Sequence, residues 1–232
     1  MLQDLVDAIP FFLEGAGVTM LYTVIGASAA LIASFVFGLL SMSNHKSVRF
    51  LVRAVVEFFR GTSLVVQLLW IVFVLPQLGF RLDILAAATL ALALNFGAYG
   101  SEVVRGALTA VPKAQWEATV ALGLGRVHRM RRVILPQAVP EMIPPFSNLL
   151  VQVLKSSSLL FLVGISELTF EVNNLRFEVG SLWAFGIALV VYFVLAQLLL
   201  AFTRVLENRA AKKVGRRPVA ASMVAEPRVG TT

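Results

Sequence analysis

Apolar and polar positions along this chain segregate into long blocks. No charged side chain occurs from Ala16 to Ser41, from Gly61 to Phe80, from Ile84 to Ser101 or from Val179 to Thr203. A fifth apolar block, Met142 to Ser166, is broken by Lys155 and Glu141 borders it. A helix needs about 20 mostly apolar residues to cross a bilayer. The pattern therefore predicts an all-α membrane protein with five spans, at 17–41, 58–76, 84–105, 141–165 and 181–205.

The segments between the blocks differ in charge. Lys46, Arg49 and Arg53 follow the first span, and Arg105, Lys113, Arg126, Arg129, Arg131 and Arg132 follow the third. Arg204, Arg209, Lys212, Lys213, Arg216 and Arg217 follow the fifth. The opposite side collects Asp4, Asp7, Glu14, Asp83, Glu167, Glu171 and Glu178, against Arg81 and Arg176. Basic loops stay in the cytoplasm. The expected orientation is N-terminus outside and C-terminus inside, which an odd number of spans also requires.

Ahead of the first span, Leu2, Leu5, Val6 and Ile9 fall at i, i+3, i+4 and i+7. That stripe predicts an amphipathic segment over 1–16 on the outer membrane face; a frayed terminus is the alternative. Asp4 and Asp7 stand where a signal peptide would be basic, so the segment does not read as cleavable. The span region covers 17–207. Residues 208–232 form a basic tail rich in Ala, Pro and Arg, expected to be disordered. The chain shows no internal repeat.

Composition confirms the solvent as lipid. The 232 residues are 58% hydrophobic and 14% charged, where soluble domains are nearer a quarter charged. Zero cysteines exclude disulfides, thiolate metal sites and cysteine nucleophiles. The net charge of +7 is accounted for by the cytoplasmic loops, and no nucleic-acid partner is expected. No metal or cofactor is expected either.

The longest polar segment, about 112–136, has internal order. Pro112 suits a first helical turn, and Lys113 to Leu122 contains no breaker. Gly123 and Gly125 end that helix, because glycine accepts the left-handed conformation that closes one. A second short helix starts near Arg126 and is expected to stop at Leu135-Pro136. By pattern alone this is either a lever lying across the cytoplasmic mouth or a basic loop resting on anionic lipid.

The residues Glu117-Ala118-Thr119, Gly123 and Val133-Ile134-Leu135-Pro136 resemble the "EAA" loop of membrane subunits of binding-protein-dependent ABC importers. That signature reads Glu-Ala-Ala, then glycine, then Ile-x-Leu-Pro. Thr119 and Val133 depart from it conservatively. "FRGTSLVVQLLW" from Phe59, "NFGAYGSEVVRGALTAVPKAQWEA" from Asn95 and "LKSSSLLFLVGISEL" from Leu154 are similar to the polar amino-acid uptake branch of that family. The resemblance covers about Thr19 to Glu207.

The resemblance implies a type I importer permease in the bacterial cytoplasmic membrane. It would move a polar amino acid or similar zwitterion, a compatible solute such as ectoine included. Its implied partners are a cytoplasmic ABC ATPase dimer, a second permease subunit (identical or paralogous), an extracytoplasmic substrate-binding protein and the lipid bilayer. The coupling residues would be Glu117, Ala118, Gly123, Arg126, Arg129, Leu135 and Pro136. No phosphate-binding loop of the Gly-x4-Gly-Lys-Ser/Thr type is present, so the chain reads as a transport subunit, not an enzyme.

Polar residues inside the spans are costly unless they face protein or water. Glu57 with Arg60, and Glu102 with Arg105, are three apart and read as neutralising pairs. Lys155 falls near mid-membrane, and Ser156, Ser157 and Ser158 could satisfy a broken helix there. The candidate substrate path is Arg60, Thr62, Gln67, Asn95, Glu102, Lys155, Ser156, Ser157 and Ser158. A structural charge at Lys155 is the alternative. A stand-alone secondary transporter or channel would want paired deep ionisable groups and repeats. A membrane enzyme would want an intramembrane Ser/His or Asp pair, but His45 and His128 both lie in loops.

Overall fold

A computed structural model describes residues 2–213, and every regular element among them is helical. The order is α1 (Leu2–Ser41), α2 (Lys46–Gly61), α3 (Leu64–Leu69), α4 (Ile84–Ala110), α5 (Lys113–Ala121), α6 (Arg126–Arg129), α7 (Leu135–Ser157), α8 (Leu168–Val179) and α9 (Ser181–Lys213). Among the described residues, four stretches are long and apolar enough to cross a membrane: Ile9–Ser41, Ile84–Ala110, Arg126–Val163 and Ser181–Val205.

The remaining span expected at 58–76 is built differently. α2 ends at Gly61, Thr62 and Ser63 are extended, and α3 leaves at 105° to α2. Lys46, Arg49 and Arg53 therefore sit on a helix, not in a loop. α2 buries only Val52 and Val56 and leaves Phe50, Leu51 and Phe58 exposed, as an amphipathic helix does. The charge-free run from Gly61 hid the break because Gly-Thr-Ser is uncharged yet favours turns.

The N-terminal segment is also continuous with its span. α1 runs unbroken from Leu2, carries Pro10 inside, and lays Gly15 against α8. A Cβ on Gly15 would meet the Leu168 backbone at 3.0 Å. At the other terminus α9 reaches Lys213, so residues 208–213 of the expected tail are helical. The rest of that tail lies outside the described residues.

Two π-helical turns occur among the described residues, Trp70–Val74 and Met130–Ile134. Each ends two residues before a proline, Pro76 and Pro136. Proline removes one helical N–H and its ring collides with the carbonyl four residues back. A widened turn displaces that carbonyl: the N–H of Leu75 reaches Trp70 O and that of Leu135 reaches Met130 O. Pro136 thus does not stop the second loop helix, as its sequence suggested. That helix passes from α6 through the π turn into α7. Pro140, Pro144 and Pro145 lie further along the same helix.

The packing centre is α4. Small residues on both helices let α1 approach it closely: Cβ atoms added to Gly97 of α4 or Gly26 of α1 would fall 2.5 Å from Ala33 Cβ and 2.7 Å from Leu92 Cδ1. α7 packs on the other side through Ala138, Met142 and Ile134 against Val104 and Leu108. α9 packs on α7 through Ala196 and Leu199 against Leu154, and on α8 through Ala184 and Ala188. The 42–45 turn, the 112–136 loop and Glu207 of α9 share one end of the bundle, as the contacts of Met42, Trp116 and Ser147 show. α8 and the Thr19 turn of α1 lie at the other.

Candidate functional site

The 112–136 segment forms a helix pair with a sharp corner. α5 ends at Ala121, and Gly123 takes φ +67°. The Gly123 N–H reaches Val120 O at 2.9 Å and the Leu124 N–H reaches Thr119 O at 3.1 Å. These two bonds are a Schellman cap, which needs a left-handed residue at this place. Nothing lies within 4 Å of where a Cβ on Gly123 would be. The constraint there is backbone conformation, not space. Gly125, by contrast, is extended at φ −60° and precedes α6.

One side of the pair is fastened to the bundle. Trp116, Met130, Val133 and Leu135 pack on the Ile134–Val104 cluster, and Thr119 is buried. The Gln137 amide donates to Gln115 Oε1 at 3.4 Å. Arg129 donates to Leu124 O at 3.3 Å across the corner. With the Asn44 amide oxygen turned toward it, Arg126 donates to Asn44 from both terminal nitrogens, at 2.8 and 3.0 Å. The pair is therefore tied to the α1–α2 turn, a contact with no sequence signal because Asn44 is an ordinary turn residue.

The other side is bare. Glu117 and Ala118 are exposed, as are Val120, Leu122 and Val127, the last two at 75% and 71%. An exposed aliphatic cluster next to charges is the composition of a protein-contact surface. Pro136 is exposed and Leu135 half-buried at the start of α7.

Three of the candidate path residues, Thr62, Gln67 and Asn95, form one network at the α2–α3 break, and Arg60 lies beside it. Gln67 Nε2 donates to Phe59 O at 2.9 Å, to Thr62 Oγ1 at 2.6 Å and to Thr62 O at 3.3 Å. Asn95 Nδ2 donates to Gln67 Oε1 and Phe59 O, both at 3.2 Å. Both amides are buried, at 7% and 5% exposure. They serve the carbonyls that α2 leaves open at its C-terminal end. Arg60 pairs with Glu57 at 3.1 Å, lies over the Tyr99 ring at 5.6 Å, and its carbonyl accepts from Tyr99 Oη at 3.2 Å. The Arg60 Nε is buried without an acceptor.

The other candidates are not in that network. Glu102 accepts from Arg105 Nε at 2.9 Å. Lys155 is exposed and, among the described residues, its ammonium forms no hydrogen bond or ion pair. At Ser158 the α7 helix tightens into a 3-10 turn that runs to Val163 and closes on Gly164 at φ +83°. Ser157 Oγ donates to Leu154 O and Ser158 Oγ to Lys155 O, each at 2.7 Å. Ser157 is fully buried and Ser156 half-buried.

Residues 23–212 match the family described as "Binding-protein-dependent transport system inner membrane component". This chain belongs to that family. A probable amino-acid ABC transporter permease, y4tF of Sinorhizobium fredii, is 41% identical over 211 residues, covering 88% of this chain and 89% of that one. The glutamine transport permease GlnP of Escherichia coli is 34% identical, covering 87% of this chain and 94% of its own length. The arginine transport permease ArtQ of Bacillus subtilis is 34% identical, with 88% and 94% covered. Among solved structures, an amino acid ABC transporter crystallised with histidines superposes at a TM-score of 0.80 and 29% identity, over 88% of this chain and 96% of that one. The methionine transporter MetNI superposes at 0.71 and 19% identity, a likeness of fold.

The permease is thus a multi-pass inner-membrane transport subunit of an ABC importer. ATP hydrolysis belongs to a separate subunit, and the family works with an ATPase and a substrate-binding protein. Residues that sequence reasoning passed over lie at the far end of the permease. Glu167 is fully buried beside Thr19, Thr169 and Tyr192. Its only signal was an acid directly before an amphipathic helix, a capping position.

Proposed function

We propose that this permease carries a polar amino acid or a similar zwitterion through the cytoplasmic membrane. In this reading a dimer of ATPase subunits meets the 112–136 helix pair, and a second permease subunit, identical or paralogous, completes the pathway. The N-terminus lies outside and the C-terminus inside, following the basic loops. The relatives named for glutamine and arginine transport support the substrate class.

One observation carries the mechanism. The helix that starts at Arg126, on the coupling corner, is continuous through the π turn into α7 and runs to the Ser158 break beside Lys155. Its contour length from Arg126 to Lys155 is about 44 Å at 1.5 Å per residue. A push on the exposed Leu122–Val127 corner therefore has a direct covalent route to mid-membrane. There the unpaired Lys155 ammonium and the half-buried Ser156 would meet the carboxylate of a zwitterion, with Arg60 and Glu102 across the path. Gln67, Asn95 and Thr62 would hold the α2–α3 break in shape on the same route.

The test is uptake by vesicles holding the permease, its ATPase and its binding protein. Labelled polar amino acids are offered singly and then against each other. Uptake that needs ATP inside and is competed by amino acids is the expected result. Uptake that runs without the ATPase, or that no zwitterion competes, would remove the reading.

A further inference from the structure

The end of the bundle opposite the coupling loop holds a buried acid with no cation beside it. Glu167 is 0% exposed and begins α8. Its Oε1 accepts from the Phe170 N–H at 3.1 Å. Its Oε2 accepts from Tyr192 Oη on α9 at 2.8 Å and from Thr19 Oγ1 on α1 at 3.4 Å. Thr19 Oγ1 in turn accepts from the Leu168 N–H at 3.1 Å. One carboxyl group thus joins three helices and caps one of them. The titratable groups around it are Tyr192 on α9, Glu171 one turn along α8, and Glu14 on α1. None of these acids forms a salt bridge among the described residues.

We propose that Glu167 is a proton-responsive latch that fastens α8 to α1 and α9, tighter when its carboxyl is protonated than when it is ionised. The network can hold either form. When Glu167 is ionised, Tyr192 donates to it and Thr169 donates to Tyr192. When it is protonated, Glu167 donates to Tyr192, and Tyr192 donates to Thr169. The Thr169–Tyr192 contact, 2.9 Å, works in both directions. Tyr192 keeps both partners in either state, and protonation removes a buried negative charge.

Burial is the larger influence and pushes the Glu167 carboxyl above the range of a free glutamate; the bonds from the backbone, Tyr192 and Thr169 pull back only partly. Glu171 is also raised, by burial first and then by the nearby Glu14. The docked state therefore holds its proton more firmly than an undocked, solvated α8 would. That preference is full below the ordinary glutamate value. It is lost as pH rises from that value to the raised one, and is absent above it.

The experiment is amide hydrogen exchange on α8 in the assembled transporter, in nanodiscs, corrected for intrinsic exchange. Opening of the amides at 171–179 is expected to rise by up to about tenfold per pH unit as pH climbs above the ordinary glutamate value, then to level off. Glu167→Gln should remove most of that rise, leaving only the dependence that Glu171 supplies. Should that variant misassemble, Tyr192→Phe keeps the ring and removes a donor to the carboxylate. It should move the levelling point to higher pH. A flat wild-type profile overturns the latch. So does a Tyr192→Phe profile that coincides with the wild type.

Discussion

Replacing Gly123 in a graded series isolates the coupling corner. The residue sits at φ +67°, and a Cβ there would touch nothing within 4 Å. The cost of a side chain is therefore conformational alone. A left-handed L-residue costs roughly 1–2 kcal/mol, which is a factor of about 5–30 in the population of the capped corner. Asparagine enters this region more easily than alanine. Proline cannot enter it, since its φ is fixed near −65°. It also deletes the Gly123–Val120 bond, and it disfavours the helical backbone of Leu122, at φ −76° and ψ 3°. Substrate-stimulated ATP hydrolysis and uptake in the reconstituted importer should fall in the order Gly, Asn, Ala, Pro, with proline abolishing uptake while insertion persists. If proline keeps ordinary stimulated hydrolysis and uptake, the corner is not a mechanical element. An order that follows side-chain volume would point to steric contact with the partner.

Three further outcomes follow from the same geometry. A reporter fused after Arg217 should be active only in the cytoplasm and one inserted between Phe170 and Asn174 only outside; finding both on one side would remove the five-crossing topology. Lys155→Met keeps most of the stem volume and removes the charge, so uptake should drop while the ATPase still co-purifies; unchanged uptake would exclude the ammonium from the path. Gln67→Leu leaves the Thr62 carbonyl without its amide partner, takes one of two donors from the Phe59 carbonyl and removes the Oε1 acceptor of Asn95, at roughly 1–3 kcal/mol for a buried group left unpaired, so the thermal midpoint of the complex should fall; an unchanged midpoint would mean water replaces the amide without loss.

The spans were legible because bilayer burial demands charge-free runs: α1, α4 and α9 each contain one, and α7 carries the apolar block that only Lys155 interrupts. The pairs Glu57–Arg60 and Glu102–Arg105 were legible for the same reason, since helical spacing dictates them. The 105° break after Gly61 was not, because the amides that stabilise it come from Gln67 and from Asn95 on a distant helix. Pro136 misled because its effect depends on what happens to the carbonyl four residues back. A π turn absorbs it, and the helix goes on. Glu167 read as one more acid on the outer side. Only folding places it in contact with Thr19, 148 positions away.

The α1–α4 contact is the counterpart of the α6–α7 arm. An arm transmits displacement only if something beside it stays put. α7 contains three internal prolines and starts from a π turn, whereas α1 and α4 meet backbone to backbone over small residues. At Gly97 an added Cβ would stand 2.5 Å from Ala33 Cβ and 3.4 Å from Ala30 O. Gly97→Ala must therefore part the helices, at about 1–3 kcal/mol for overpacking. The double variant with Ala33→Gly removes the colliding methyl and should restore much of the loss. Thermal unfolding of the purified complex would measure both. If the double variant is less stable than Gly97→Ala alone, the methyl–methyl collision is not the source of the cost. If Gly97→Ala is neutral by itself, α1 slides on α4 freely, and the fixed side of the lever has to be sought elsewhere in the bundle.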